Sequence, residues 1–380
     1  MAKIQFKTIG QMLDFYYPKA GEVGHIQKDA PVITTTTGVY NPVFGAHAFY
    51  QLNSEANAFA LLPKYPWIYT GYRAITADAS STTYGSVAEN GDIPATIQPT
   101  FAEITPTAKQ HAHSFDESAI MSGMVKSADD TYGGFAQLRS YFAVKHAKDI
   151  AAALMVDGDT LASNSFESID RVTASAAYAT ALSWTANDID IYDIDRSSAS
   201  WADAVCHHAS GVDRTLTDAL IRAVLAEIEQ NGGNTSFMLT GYDIKNRIMG
   251  LYEDQVRYSG VIVKDQLFSI GLNGVSTDNG IAAGIRVASV YGIPLFSSQN
   301  CAQDTISRIY FLDTSEEAGS GRPKLGISLM YPTLYFEAGM EAGLPNPYML
   351  GRFGTEGVYF TAGELVCTVF KHQGSLRDLS

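Results

Sequence analysis

The chain has 380 residues, with 26 Lys and Arg against 40 Asp and Glu, a net charge of −14. Hydrophobic residues make up 46% and charged residues 17%. That excludes a disordered chain, which needs low hydrophobicity and high charge density, and a general nucleic-acid binder, which needs clustered Lys and Arg.

Residues 1–62 carry Pro18, Pro31 and Pro42, with Pro63 following, and the run Thr34 to Gly38. Prolines remove ladder donors and break helices, so an extended arm is expected. Its aromatics, among them Phe15, Tyr16, Tyr40 and Phe49, need burial against the rest of the chain or a neighbouring subunit. Residues 67–118 read as two extended runs, the second from Thr96 to Thr107, around a small polar tip between Ala79 and Asp92. This is a β-hairpin excursion. A two-stranded hairpin is marginal alone, so it is expected to pack on a partner.

Residues 128–156 predict a long helix, with Asp129 and Asp130 at its start, Phe135, Leu138, Phe142, Ile150 and Leu154 at helical spacings, and Asp157-Gly158 as the stop. Residues 160–212 are rich in Ala, Ser, Thr and Asp and predict loops and short strands. Beyond 213 the pattern sharpens. Leu216, Leu220, Ile221, Val224, Leu225 and Ile228 form an apolar stripe, with Thr215 and Asp218 as a capping pair and Asn231-Gly232-Gly233 as the end. A charge at Leu220 is expected to prevent folding. A strand over 237–239 follows, then a helix capped by Thr240 and carrying Ile244, Ile248 and Leu251. Strands are predicted over 284–290, 293–297, 306–312, 325–330 and 357–370, with Pro294 at a sheet edge or bulge. Helices and strands are mixed without βαβ alternation, so the class is α+β.

The chemistry is sparse. There is no GxSxG, HExxH, Walker loop or GxGxxG motif, and Gly271 and Gly274 read as a turn. Cys206, Cys301 and Cys367 are far apart, which excludes a disulfide scaffold or zinc ribbon and suggests a reduced, intracellular setting. Cys206-His207-His208 lacks a second ligand cluster at a zinc spacing. His111 and His113 alternate on a strand face and read as exposed hairpin residues, with a ligand role as the alternative. Asp188, Asp190, Asp193 and Asp195 fit a surface loop, with calcium as the alternative. Asn234-Thr235-Ser236 is a glycosylation sequon, inert without a signal peptide. No apolar run reaches the about 18 residues of a membrane span, and the N-terminus lacks a signal-peptide core. No catalytic, cofactor-binding or metal-ligating set is expected.

The order of elements, an arm, a hairpin, a long helix and a mixed domain, resembles the Hong Kong 97-type major capsid proteins of tailed double-stranded-DNA viruses of bacteria and archaea. Phe237-Met238-Leu239-Thr240 is similar to an axial-domain strand of that family. Val290-Tyr291-Gly292-Ile293-Pro294-Leu295 resembles its G-(I/V)-P-(V/L) strand, and Ile309 to Asp313 the strand ending in "GD". Gly363 to Val366 and Leu376 to Leu379 resemble its closing strand and tail. The resemblance implies an N-terminal arm at 1–62, an E-loop hairpin at 63–120, and a peripheral domain at 121–212 with the spine helix 128–156 and room for an insertion. An axial domain at 213–300 and a return to the peripheral domain at 301–380 complete it.

It further implies a non-enzymatic subunit that assembles as hexamers and pentamers into an icosahedral shell around the viral genome. The partners implied are other copies of the chain and scaffolding, portal and decoration proteins. DNA is enclosed without sequence-specific binding, and no membrane is involved. The implied location is the virion, assembled in the host cytoplasm. Some members crosslink an E-loop Lys to a neighbour's Asn with help from a Glu. Between Tyr72 and Ala108 this chain has no Lys, so neither crosslink nor catalytic Glu is expected. Two alternatives remain: an encapsulin-type nanocompartment, and an enzyme whose pocket would gather titratable groups near His207, His208 and the Asp run.

Overall fold

The structure is a computed structural model that describes residues 57–69, 71–77, 87–92, 98–120, 135–259, 288–302, 307–317, 321–341, 344–345 and 350–380. The expected arm up to residue 56, much of the hairpin tip, the helix start with Asp129 and Asp130, and the Gly271–Gly274 turn lie outside the described residues.

The first elements are α1 (Asn57–Leu61), β1 (Lys64–Pro66), β2 (Tyr72–Ala77), β3 (Thr100–Ile104), β4 (Lys109–Ser118) and α2 (Phe135–Ala153). Three short helices follow, α3 (Ile169–Val172), α4 (Ala176–Ala181) and α5 (Ala186–Ile189), then β5 (Val205–His207), α6 (Asp218–Gln230), β6 (Phe237–Thr240) and α7 (Tyr242–Ser259). Strands β7 (Ala288–Val290), β8 (Ile293–Ser297), β9 (Ser307–Leu312), β10 (Leu325–Ala338), β11 (Met340–Glu341), β12 (Leu344–Pro345), β13 (Gly354–Cys367) and β14 (Gly374–Leu379) complete the order. The chain divides into two compact units. One comprises Met1–Ser54, Gln110–Asp149 and Tyr331–Ala362; the other comprises Glu55–Lys109, Ile150–Met330 and Gly363–Ser380.

The larger unit is built on a six-stranded mixed sheet of order β5-β14-β9-β6-β8-β7. Its central strands are buried on both faces, and the period of two sorts their side chains between two cores. Met238, Leu295, Ile309, Phe311 and Leu376 join Ile221, Val224, Leu225 and Ile228 of α6 and Ile244 and Ile248 of α7. Their alternates Phe237, Leu239, Phe296, Tyr310 and Leu312 pack with Ile150, Leu154, Phe166, Ile169 and Val172 on the other side. Each such buried side chain contributes about 1.5–3 kcal/mol over exposure.

Local details correct several sequence expectations. Helix α6 begins at Asp218 with Thr217 as its N-cap, in β-region backbone, because Leu216 is already buried in the core ahead of the helix. Leu220 is only partly buried at the core's rim. Pro294 is not on an edge strand, since β8 lies between β6 and β7. The β6–β8 ladder begins at Met238↔Leu295, one residue past the proline, so the missing N–H falls outside that ladder. Strand β10 runs through Pro332 to Ala338. Its partner β1 stops at Pro66↔Leu329, so beyond that point β10 is an edge among the described residues, where proline is tolerated. Strand β13 ends at Cys367, and a 3₁₀ turn at Phe370–His372 with Phe370 buried feeds β14.

The segment 160–212 holds short helices where loops and strands were expected. Ser168 and Ser175 cap α3 and α4 by accepting from the Arg171 and Tyr178 amides. The alanine-rich composition hides this, because each helix is too short to show a 3.6 period.

Helix α3 carries Asp170, a fully buried carboxyl. Its Oδ1 lies 2.7 Å from Arg308 Nη1 of β9 and 2.7 Å from Arg377 Nη1 of β14, and accepts from the Tyr310 hydroxyl at 2.9 Å. Its Oδ2 accepts from the Gly158 amide at 2.9 Å. Burial alone would raise the Asp170 pKa, but the charges of Arg377 and Arg308 with these hydrogen bonds outweigh it and hold the carboxyl below its ordinary value. Arg377 is also fully buried. It donates to the Asp170 carbonyl at 2.6 Å and to Ser375 Oγ at 2.9 Å, and stacks 4.4 Å from the centroid of the Tyr178 ring. A bulge between Leu376 and Leu379, with Asp378 at φ +58°, bends β14 just past Arg377.

The smaller unit contains the edge of a sheet in which β13 lies between β10 and β4. Its interior is aromatic. Phe115 of β4 stacks on Phe142 of α2 at 4.7 Å and 6°, with Phe135, Tyr335 and Tyr359 around it. The Tyr359 hydroxyl donates to the Arg139 carbonyl of α2 at 3.0 Å. Gly339 turns the chain out of β10 at φ +89°, and a Cβ there would meet the Gly354 carbonyl at 2.3 Å, so only glycine fits.

Two predictions follow from this packing. Ile221→Asp buries an unpaired charge and should leave no soluble, cooperatively melting protein, whereas Leu220→Asp at the rim should fold; thermal melts of both test this. Asp170→Asn leaves the buried Arg377 without a carboxylate partner and Arg308 with only Asp157, 2.6 Å away, and should cost about 3–5 kcal/mol by urea unfolding at neutral pH. Because the Asp170 pKa is depressed, its contribution is present above the ordinary carboxyl value and is lost as pH falls below it. The wild-type advantage over Asn should therefore shrink in acid.

Candidate functional site

The sequence candidates are placed as follows. Cys206, His207 and His208 do not converge. The His207 Nε2 pairs with Glu227 Oε2 of α6 at 2.6 Å, while the His208 ring lies edge-on to Tyr178 at 5.2 Å. In the acidic run, Asp188 accepts from Thr185 at 2.5 Å. Asp195 accepts from the Ser197 amide at 2.9 Å and from Ser198 Oγ at 3.0 Å. Asp190 ends α5, and its carbonyl accepts from Arg171 Nε at 3.0 Å. The carboxylates of Asp188 and Asp195 thus serve turns and caps with local donors.

A cavity of about 490 Å³ in the larger unit is the place to look for an enzyme. It is lined by Lys109, Glu167, Arg171, Asp188, Tyr192 and Glu364, among others. Glu167 and Glu364 are buried, yet both are committed to the backbone. Glu364 Oε1 accepts from the amides of Glu167 at 2.6 Å and Leu365 at 2.9 Å, and Glu167 Oε1 accepts from Ser168 N at 3.2 Å. Lys109 donates to the Ser163 carbonyl at 2.7 Å. Burial and the neighbouring Glu167 push the Glu364 pKa up to about 8, against the pull of the two amides. The cavity thus gathers titratable groups, and Glu364 Oε1 and Glu167 Oε1 are occupied by main-chain amides.

The hairpin presents a different kind of site. Strands β2 and β3 pair antiparallel, Tyr72↔Ile104 to Ala77↔Thr100, as a sheet of two strands. Its base is anchored, since Ile104 is fully buried and Thr105 Oγ1 donates to the Tyr192 carbonyl at 3.2 Å. Further out, Ile75 and Phe101 face each other across the strands and are 65% and 57% exposed. The Arg73–Glu103 pair between the strands is at 3.3 Å with both side chains largely exposed, and contributes little. Tyr72 and Ala74 on the ribbon pack against the core, while Ile75 and Phe101 leave an apolar pair uncovered among the described residues.

In the smaller unit, His111 and His113 of β4 meet His146 of α2, one nitrogen of each ring lying within 4.8 Å of the others. The sequence pairing of His111 with His113 places them together, half-buried rather than exposed. His146 is the residue that sequence reasoning missed. Its signal was faint: a histidine three residues before Asp149 on the helix, pairing with an i, i+2 pair on a strand. Burial, with the charges of His111 and His113, lowers the His146 pKa to about 4. Burial also lowers that of His111.

The raised Glu364 pKa gives a pH prediction. A carboxyl that holds its proton more tightly when folded contributes most while both states are protonated, and that stability is lost as pH rises from the ordinary 4.5 to about 8. Wild type should lose up to about 1.4 kcal/mol per pH unit across this window. Glu364→Gln should flatten the slope, as read by urea unfolding at either end of the window.

No protein-family model matches the sequence, and no curated protein matches it. In structure the chain is similar to one from the cyanophage A-1(L) capsid asymmetric unit, with TM-score 0.58 and 15% identity, covering 88% of this chain and 95% of that one. It is also similar to a chain of the capsid of a native GTA particle, with TM-score 0.50 and 11% identity over 95% and 98% of the two chains. A holo-SrpI encapsulin chain from Synechococcus elongatus PCC 7942 gives TM-score 0.46 at 9% identity over 88% and 93%. The first two likenesses, with the element order described above, establish the fold as the α+β fold of the Hong Kong 97 type.

Proposed function

We propose that this protein is a major capsid protein that assembles as hexamers and pentamers into an icosahedral shell enclosing double-stranded DNA. The observation that carries the reading is a capsid-type fold whose hairpin exposes Ile75 and Phe101. A shell subunit needs apolar surface that is covered only on assembly, at roughly 25 cal/mol per Å², and closed symmetry to end growth. The role is structural and not enzymatic. This is supported by the 490 Å³ cavity, where oxygens of the buried carboxyls are spent on backbone amides. The net charge of −14 suits a container that encloses DNA without gripping it, because phosphate is repelled. In this reading the scaffolding, portal and decoration proteins are separate chains, the location is the virion, and assembly takes place in the host cytoplasm.

The test is negative-stain microscopy of the purified chain after size-exclusion chromatography, alone and co-expressed with a scaffolding protein from its own genome. Closed polyhedral shells or regular hexamers and pentamers are expected, with shell diameter and nucleic-acid content separating a virus from a nanocompartment. The double variant Ile75→Asp with Phe101→Asp should melt like wild type and form no shells. Uniform monomers of wild type under every condition would overturn the reading. Normal shells from the double variant would remove the hairpin from it.

A further inference from the structure

The histidine cluster of the smaller unit has no part in the reading above. His111 and His113 sit at i and i+2 on β4 and so share one face. Their ring centroids are 4.9 Å apart, and lie 5.4 and 5.2 Å from that of His146.

The hydrogen bonds around the cluster fix its chemistry. His113 Nε2 is 2.8 Å from Asp149 Oδ2. Asp149 Oδ2 also accepts from Lys145 Nζ at 2.6 Å, so the carboxylate stands behind the His113 ring as an acceptor. His146 Nε2 is 2.8 Å from Thr361 Oγ1, which is itself 2.9 Å from Thr333 Oγ1. The Thr361 hydroxyl can accept from His146 Nε2 or donate to it, according to the tautomer. The inner nitrogens, His113 Nδ1 and His146 Nδ1, face each other at 2.9 Å, a contact satisfied either by a proton on one of them or by a metal ion at the cluster.

We propose that His111, His113 and His146 form a binding site for a divalent transition metal of the zinc type, which pins β4 to α2 within this unit. Three imidazole nitrogens select Zn²⁺, Co²⁺, Ni²⁺ or Cu²⁺ over Ca²⁺ and Mg²⁺, which take oxygen. Zinc–nitrogen bonds of about 2.0–2.1 Å in tetrahedral geometry put ligand nitrogens about 3.4 Å apart. That value lies between the 2.9 Å of the close pair and the 4.8 Å span of the cluster, so ring rotations suffice. A carboxylate behind one ligand and a hydroxyl behind another are the usual outer partners that orient metal-binding imidazoles. Lys145, 2.6 Å from Asp149 Oδ2, partly offsets that carboxylate. Solvent takes the fourth position.

The test uses the full, tag-free chain, stripped with a chelator and titrated with Zn²⁺ by calorimetry and with Co²⁺ by visible absorption. One metal per chain is expected, with the strong ligand-field bands of low-symmetry Co²⁺ and a melting temperature several degrees higher with Zn²⁺. His111→Ala and His113→Ala should each weaken binding at least about tenfold, and Asp149→Asn by about 10–100-fold. His207→Gln with His208→Gln should leave binding unchanged. His111 and His113 are half-exposed on β4, so their variants should fold even where a change at His146 does not. Uptake well below one per chain, equal binding by the His111 and His113 variants, or binding that follows His207 and His208 would overturn the proposal.

Discussion

One buried carboxylate organises the larger unit. Asp170 receives Arg308, Arg377, the Tyr310 hydroxyl and the Gly158 amide at 2.7–2.9 Å. It thereby ties helix α3 to two adjacent strands of the central sheet and to the turn that follows α2. A lone charge there would cost several kcal/mol, so the arrangement is tolerable only when every member is present. Apolar packing would hold the layers together at any of several rotations. A carboxylate held by two directed hydrogen bonds and two ion pairs narrows that choice. Thr173 and Ser375 extend the constraint: Ser375 Oγ donates to the Thr173 carbonyl at 2.7 Å and accepts from Arg377 Nε.

The smaller unit is held by a different kind of interior. Its aromatic stack around Phe115 supplies area in few residues. Beside it lie three imidazoles and two threonine hydroxyls. Polar interiors of this type hold a single geometry when their donors and acceptors are matched.

The hairpin and the cavity show why a surface, and not a pocket, carries the functional reading. A catalytic site keeps polar atoms unspent and aimed at a ligand. In the 490 Å³ cavity the buried carboxyls instead complete the hydrogen bonding of the chain around residues 167 and 364–365. On β2 and β3 it is apolar area that is left unspent, at Ile75 and Phe101.

Much of the fold was legible in the sequence because its periods are local. The stripe of Ile221, Val224, Leu225 and Ile228 marks α6, and short β-branched and aromatic runs mark β6, β8 and β9. The order of elements was legible for the same reason, as was the pairing of His111 with His113 on one strand face. What the sequence could not disclose depends on contacts between distant residues. Asp170 looks like any acidic residue in a polar stretch until β9 and β14, 138 and 207 positions on, bring it two arginines. His146 reads as part of a polar helix face until β4 lays two histidines against it. Leu220 and Ile221 are equal in hydropathy terms, and only the sheet beneath α6 decides which is core and which is rim. Sequence alone thus determined the elements long enough to show a period, and not the short helices α3 to α5. Tertiary structure decided the charge network and the histidine cluster, because both rest on contacts between groups that no local pattern connects.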